Sequence, residues 1–63
     1  MKRIRMLREQ MKLSQFELAK LLGISQASLC RYETGEREPS IQMLKRIAEE
    51  LDCTVDYLIG ESA

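Results

Sequence analysis

Residues 13–33 read LSQFELAKLLGISQASLCRYE, and this stretch decides the fold. Ser14 and Glu17 have the spacing of a capping box. The serine hydroxyl can accept from the Glu17 amide while the glutamate carboxylate accepts from the Ser14 amide. Leu13 before the cap and Leu18 after it have the spacing of a hydrophobic staple. A helix over 15–22 is expected, with Leu18, Leu21 and Leu22 on its inner face and Ala19 between them. Gly23 ends it, because glycine enters the left-handed backbone region without a Cβ penalty. Ser25 then caps a helix over 26–33, and Ile24 with Leu29 repeats the staple. Leu29 and Tyr32 face inward, which leaves Gln26, Ala27, Ser28, Cys30 and Arg31 largely outside.

Two helices joined by so short a turn cannot lie antiparallel. They cross steeply, as in a helix-turn-helix, and Ala19 supplies the small side chain such a crossing needs. Outward from this pair, apolar residues recur with a 3.6-residue period and no segment alternates with period two. A first helix over 2–12 puts Ile4, Leu7 and Met11 on one stripe. After Thr34-Gly35 and a loop to Pro39, Ser40 caps a helix over 41–51 with Ile41, Leu44, Ile47, Ala48 and Leu51 inward. Thr54 caps a short helix over 55–59 with Val55, Leu58 and Ile59 inward, closed by Gly60. The expectation is an all-α fold: a single domain, 1–63, built as a compact bundle of five short helices.

The bulk numbers bound the function. Sixty-three residues with 44% apolar and 32% charged side chains make one small globular domain. No apolar run approaches the roughly 18 residues of a membrane span. The first dozen residues mix charge with apolar side chains and do not read as a signal peptide. A cytoplasmic protein is expected. Two cysteines, Cys30 and Cys53, and no histidine leave no zinc-ligand pattern, so free thiols are expected and no metal or cofactor. No catalytic residue stands out either: there is no nucleophile beside a base and no phosphate-cradling glycine loop. The net charge is zero but unevenly spread. Residues 1–31 carry seven basic and two acidic groups (net +5), whereas 32–63 carry three basic and eight acidic groups (net −5). Such a dipolar chain can turn a basic face to phosphate.

Five stretches in register resemble the phage lambda and 434 repressor and Cro-like helix-turn-helix family, the XRE-type transcriptional regulators. They are Ile4-Arg5-x-Leu7-Arg8-Glu9, Leu13-Ser14-Gln15-x-Glu17-Leu18-Ala19, Gly23-Ile24-Ser25, Tyr32-Glu33-x-Gly35-x-Arg37-x-Pro39, and the pair Leu44-x-x-Ile47-Ala48 with Val55-Asp56-Tyr57-Leu58. The resemblance implies a lambda-repressor-like five-helix domain that binds double-stranded DNA through its third helix, laid in the major groove. The first turns of such a helix meet base edges. Gln26 then offers an amide suited to adenine, Ala27 a methyl suited to thymine, and Ser28 a hydroxyl for base or phosphate. Arg31 can reach guanine in a two-bond contact, worth about 1–3 kcal/mol of discrimination. Gln15 and Ser25, at helix N-termini, and Arg37, in the following loop, are the phosphate contacts. Glu36 and Glu38 depart from a basic loop and weaken that contribution. Lys2 and Arg3 could add a flexible contact at the terminus. The resemblance also implies a largely buried ion pair between Arg8 and Glu33.

One module covers half a site, so a homodimer on a near-palindromic operator is expected, with Cys53, Val55, Asp56 and Ile59 on the last helix as its contact. Repression is the default reading. The rival from another class is a protein-interaction module or antitoxin-type adaptor, which would expose an apolar patch; Phe16 and Met43 are the obvious candidates.

Overall fold

The structure, a computed structural model, describes residues 1–60. It contains α1 (Lys2–Gln10), α2 (Gln15–Leu22), α3 (Gln26–Thr34), α4 (Ile41–Glu50) and α5 (Val55–Ile59), with no strand among the described residues. The all-α, five-helix reading holds. The capping box forms in full: Glu17 N donates to Ser14 Oγ at 3.0 Å and Ser14 N to Glu17 Oε1 at 2.8 Å. Ser25, Ser40 and Thr54 each accept from the amide three residues on, so four of the five helices start on a hydroxyl cap.

Gly23 ends α2 at φ 72°, and Ile24 N then bonds Ala19 O at 3.0 Å, which folds Ile24 back onto the core. The same wrap ends α1 and α4, but with side-chain-bearing residues in the left-handed position: Lys12 at φ 59° and Asp52 at φ 54°. Leu13 N reaches Arg8 O and Cys53 N reaches Ala48 O as Ile24 N does Ala19 O. These reversals stop α1 at Gln10 and α4 at Glu50, short of the expected 12 and 51. Helix α3 runs one residue past 33, to Thr34, before Gly35 turns the chain at φ 82°. Gly60 closes α5 without the left-handed turn, at φ −73°.

Ile4, Leu18, Leu22, Leu29, Ile47 and Leu58 are fully buried and bring all five helices to one core. Helix α3 packs on α1 and α2, α4 on α2 and α5, and α5 also on α1. Four expected inner positions lie outside: Met11, Leu21, Ile41 and Ile59 are all exposed. Met11 sits past the last turn of α1. Leu21 is two residues beyond Ala19, about 200° around the helix from that buried contact. Ile41 and Ile59 occupy the first and last positions of their helices and overhang the core. Met43, in contrast, packs against the core.

Two arginines lock the helix pair and the terminal helices. Arg46 on α4 donates to Leu21 O (3.1 Å) and Leu22 O (3.3 Å), taking up carbonyls that the end of α2 leaves without intrahelical partners. Arg3 on α1 lies 4.2 Å over the Tyr57 ring centre and donates to Tyr57 O at 2.7 Å.

Candidate nucleic-acid interface

Helix α3 buries Leu29, Tyr32 and Glu33 and turns its other side to solvent. Gln26, Ala27 and Arg31 are exposed, and neither Gln26 nor Arg31 spends its side chain on a hydrogen bond to another described residue. Ser28 is half-buried and more engaged. Its amide donates to Ser25 Oγ at 3.1 Å, and Ser25 Oγ donates to Ser28 Oγ at 3.0 Å. Ser25 is therefore the cap of α3 first, with its backbone and the dipole of the helix start left to face an anion. Arg37 is exposed on a loop that folds back on α3, its amide bonded to Arg31 O at 3.2 Å. That bond keeps Arg31 and Arg37 near one another at the far end of α3. Cys30 is exposed on the same helix.

The ion pair sits at the end of α3. Arg8 Nε donates to Glu33 Oε2 at 2.7 Å and Arg8 Nη2 to Glu33 Oε1 at 3.2 Å, a two-bond pair whose side chains are 9% and 2% exposed. Arg8 Nη1 also donates to Leu13 O at 2.8 Å. The hydrogen bonds to Glu33 hold the guanidinium pKa above its ordinary value. No buried side-chain polar atom among the described residues lacks a partner.

Gln15 joins this pair. Its amide donates from Nε2 to Glu33 Oε1 at 3.0 Å, a contact that sequence spacing did not suggest. A carboxylate only accepts, so the bond fixes which end of the amide faces inward. One N–H and the carbonyl oxygen of Gln15 are left for other partners. The N-terminal cations separate as well. Lys2, Arg5 and Arg8 line one cleft with Gln15, whereas Arg3 is turned to α5. The signal was present in the sequence as a three-residue repeat of basic residues, which α1 converts into one stripe.

Of the residues expected at a dimer contact, Cys53 and Val55 pack partly into the core, while Asp56 and Ile59 are exposed. Burial, and then the neighbouring Asp52, raise the Cys53 thiol above its ordinary pKa. Ile59 (50% exposed) and Ile41 (63%) border an apolar groove with Met1, Pro39 and Leu44. Phe16, 62% exposed on α2, stands apart from the residues that line that groove. Among the described residues no group of His, Cys, Asp or Glu is placed to hold a metal ion, and no helix is long and apolar enough to cross a membrane.

Comparison with known proteins gives this geometry a context. A family model described as Helix-turn-helix matches residues 4–58. The uncharacterized HTH-type transcriptional regulator YqaE of Bacillus subtilis is 45% identical over 56 residues, covering 87% of this chain and 48% of that protein. Repressor protein C2 of Salmonella phage P22 is 35% identical over 57 residues, 90% of this chain and 26% of the repressor. Antitoxin PezA of Streptococcus pneumoniae is 35% identical over 60 residues, 95% of this chain and 38% of the antitoxin. The chain thus spans less than half the length of each of these relatives.

Proposed function

The chain belongs to the helix-turn-helix family, and on that premise we propose that it is a sequence-specific regulator of transcription, a repressor, that binds double-stranded DNA. Helix α3 enters the major groove, with Gln26, Ala27, Ser28 and Arg31 toward the base edges and Gln15, Ser25 and Arg37 on phosphates. The observation that carries this reading is the division of α3. Leu29, Tyr32 and Glu33 are buried and fix the helix, while Gln26, Ala27 and Arg31 are held out on its solvent side. Amide and guanidinium groups are the side chains that discriminate base pairs in the major groove. The names of the relatives support it: two are called a transcriptional regulator and a repressor. The protein works where the DNA is, in the cytoplasm, and no catalytic step is assigned to it.

The working form is a homodimer on a near-palindromic operator. The longest dimension of the domain is 28 Å, which falls short of the roughly 34–36 Å between half-sites one helical turn apart. Two copies are needed to read both, and Asp56 and Ile59 of α5 lie on the exposed side available for that contact. The rival reading, an adaptor that binds a protein, draws on the Ile41–Ile59 groove and on the relationship to an antitoxin.

Selection from a random DNA pool tests the proposal. The expected result is an enriched near-palindrome whose preference relaxes at one or two positions in Gln26→Ala and in Arg31→Ala. No enrichment, with weak binding that disappears as salt rises, would leave only general attraction to phosphate and refute the reading.

A further inference from the structure

We infer that the cleft between α1, the start of α2 and the end of α3 is a seat for the DNA sugar–phosphate backbone, in which Lys2 and Arg5 extend the grip of Gln15. The inference rests on the DNA-binding reading and adds to it two residues and a surface. The cleft has a volume of about 640 Å³ and is lined by Lys2, Arg5, Arg8, Gln15, Glu33 and Thr34 among others. Glu33 is the one acid in this lining, and both of its oxygens are already engaged. Oε2 accepts from Arg8, and Oε1 accepts from Arg8 and Gln15. With Arg8 and Glu33 cancelling one another, the excess charge of the cleft is that of Lys2 and Arg5.

Both cations are available to an anion. Lys2 is exposed and makes no ion pair among the described residues. Arg5 faces Glu9 at 3.5 Å, with the two side chains 66% and 56% exposed, so water already competes for that pair and a phosphate can replace it. The neighbouring Arg3 is not equivalent, since it is bound to the Tyr57 carbonyl and ring on the other side of α1. Gln15 supplies the continuity. Its inward N–H is held by Glu33, and the second N–H is left for an acceptor in the cleft it lines. The occupant is a backbone and not a single ion because three donors from two helices line an open groove beside the helix that carries the base-reading residues.

Each backbone phosphate neutralised by a cation releases counterions, and log K falls against log salt with a slope of about −0.9 per contact. The test is the salt dependence of binding to the selected DNA site for the wild type, Lys2→Gln, Arg5→Gln, the double variant, and Lys45→Gln, which removes an exposed cation of α4 outside the cleft. The expected slope is shallower by about 0.9 in each single variant and about 1.8 in the double, unchanged in Lys45→Gln. That corresponds to about fivefold weaker binding per residue at roughly 0.15 M salt, and about thirtyfold in the double variant. The sequence preference should stay the same, because phosphate contacts carry no base information. Thermal melts of the variants confirm that they remain folded. Variant slopes parallel to a steep wild-type slope would overturn the inference while leaving the DNA reading intact. A wild type that binds no DNA would overturn both. Parallel slopes together with saturable chemical-shift changes on adding inorganic phosphate would mark a small-anion seat instead, and would also overturn it.

Discussion

Replacing Arg8 by alanine tests the reasoning about the centre of the molecule. Arg8 and Glu33 are 9% and 2% exposed at the side chain and joined by bonds of 2.7 and 3.2 Å. Without the guanidinium, the carboxylate stays buried with only the Gln15 amide against it. Breaking a buried pair from one side costs about 3–5 kcal/mol. Leu13 O also loses its bond from Nη1, worth about 1 kcal/mol more. At about 0.05–0.15 kcal/mol per residue, the 63 residues supply only about 3–9 kcal/mol in total. The single variant should therefore melt at least 12 °C lower, at about 4–8 °C per kcal/mol for a domain this small. Circular dichroism melts measure it. The companion is Arg8→Met with Glu33→Leu, which removes both charges and keeps similar volume. Such replacements are neutral to stabilising, so the double variant should regain most of the loss. An Arg8→Ala protein melting within 3 °C or so of the wild type would refute the reasoning. So would a double variant no more stable than the single one.

Three further outcomes follow from particular contacts. Lys12→Gly and Asp52→Gly should each raise stability by about 0.5–1 kcal/mol, since both residues sit at positive φ where a Cβ is strained; melts that fall instead would contradict this. Bonds from the amide and hydroxyl of Ser14 hold the Glu17 carboxyl below its ordinary value of 4.5. A depressed carboxyl contributes stability above its unfolded pKa and loses it as pH falls through the folded one, so the advantage of wild type over Glu17→Gln should shrink below about pH 4.5 and then close. A gap constant across pH would exclude that assignment. With a thiol-alkylating reagent at neutral pH, exposed Cys30 should react well ahead of half-buried Cys53, whose raised pKa keeps it a thiol; peptide mass analysis reads the order, and equal rates would contradict it.

What could be read from the sequence was local. The caps at Ser14, Ser25, Ser40 and Thr54 and the stop at Gly23 each depend on residues within a few positions of one another, and every one is present in the structure. The ends of α1 and α4 were missed because Lys12 and Asp52 take a backbone conformation that their side chains disfavour; the wrap of Leu13 and Cys53 onto the core outweighs that strain. Met11, Leu21, Ile41 and Ile59 were placed inside because periodicity names a stripe without saying where the neighbouring helix stops. The sharing of Glu33 between Arg8 and Gln15, and the reach of Arg46 to the end of α2, join residues 18 to 25 positions apart. No short-range pattern holds such information. Only the crossing of the helices creates it.

A neutral chain can bind a polyanion if its charges are sorted in space, and the fold does this in two steps. The sequence gathers a net +5 into residues 1–31 and a net −5 into residues 32–63. The packing then sets α1 and α2, which hold most of those basic groups, on either side of α3, while α4 and α5, which carry Glu49, Glu50 and Asp56, form the other layer. The domain extends 28 × 22 × 19 Å, against a screening length of about 8 Å at physiological salt. Acids on the far side of α4 and α5 therefore exert little force on a phosphate at α1. The acids that matter are the near ones, and each is met locally. Glu33 is buried against Arg8, Glu17 is turned to the start of its own helix, and Glu9 faces Arg5. Glu36 and Glu38 are the exception. They flank Arg37 on the exposed loop after α3 and reduce the field there. Glu36→Gln and Glu38→Gln should accordingly strengthen DNA binding at low salt, with the gain fading as salt rises. A gain of equal size at every salt concentration would mean that these residues act through shape and not through charge.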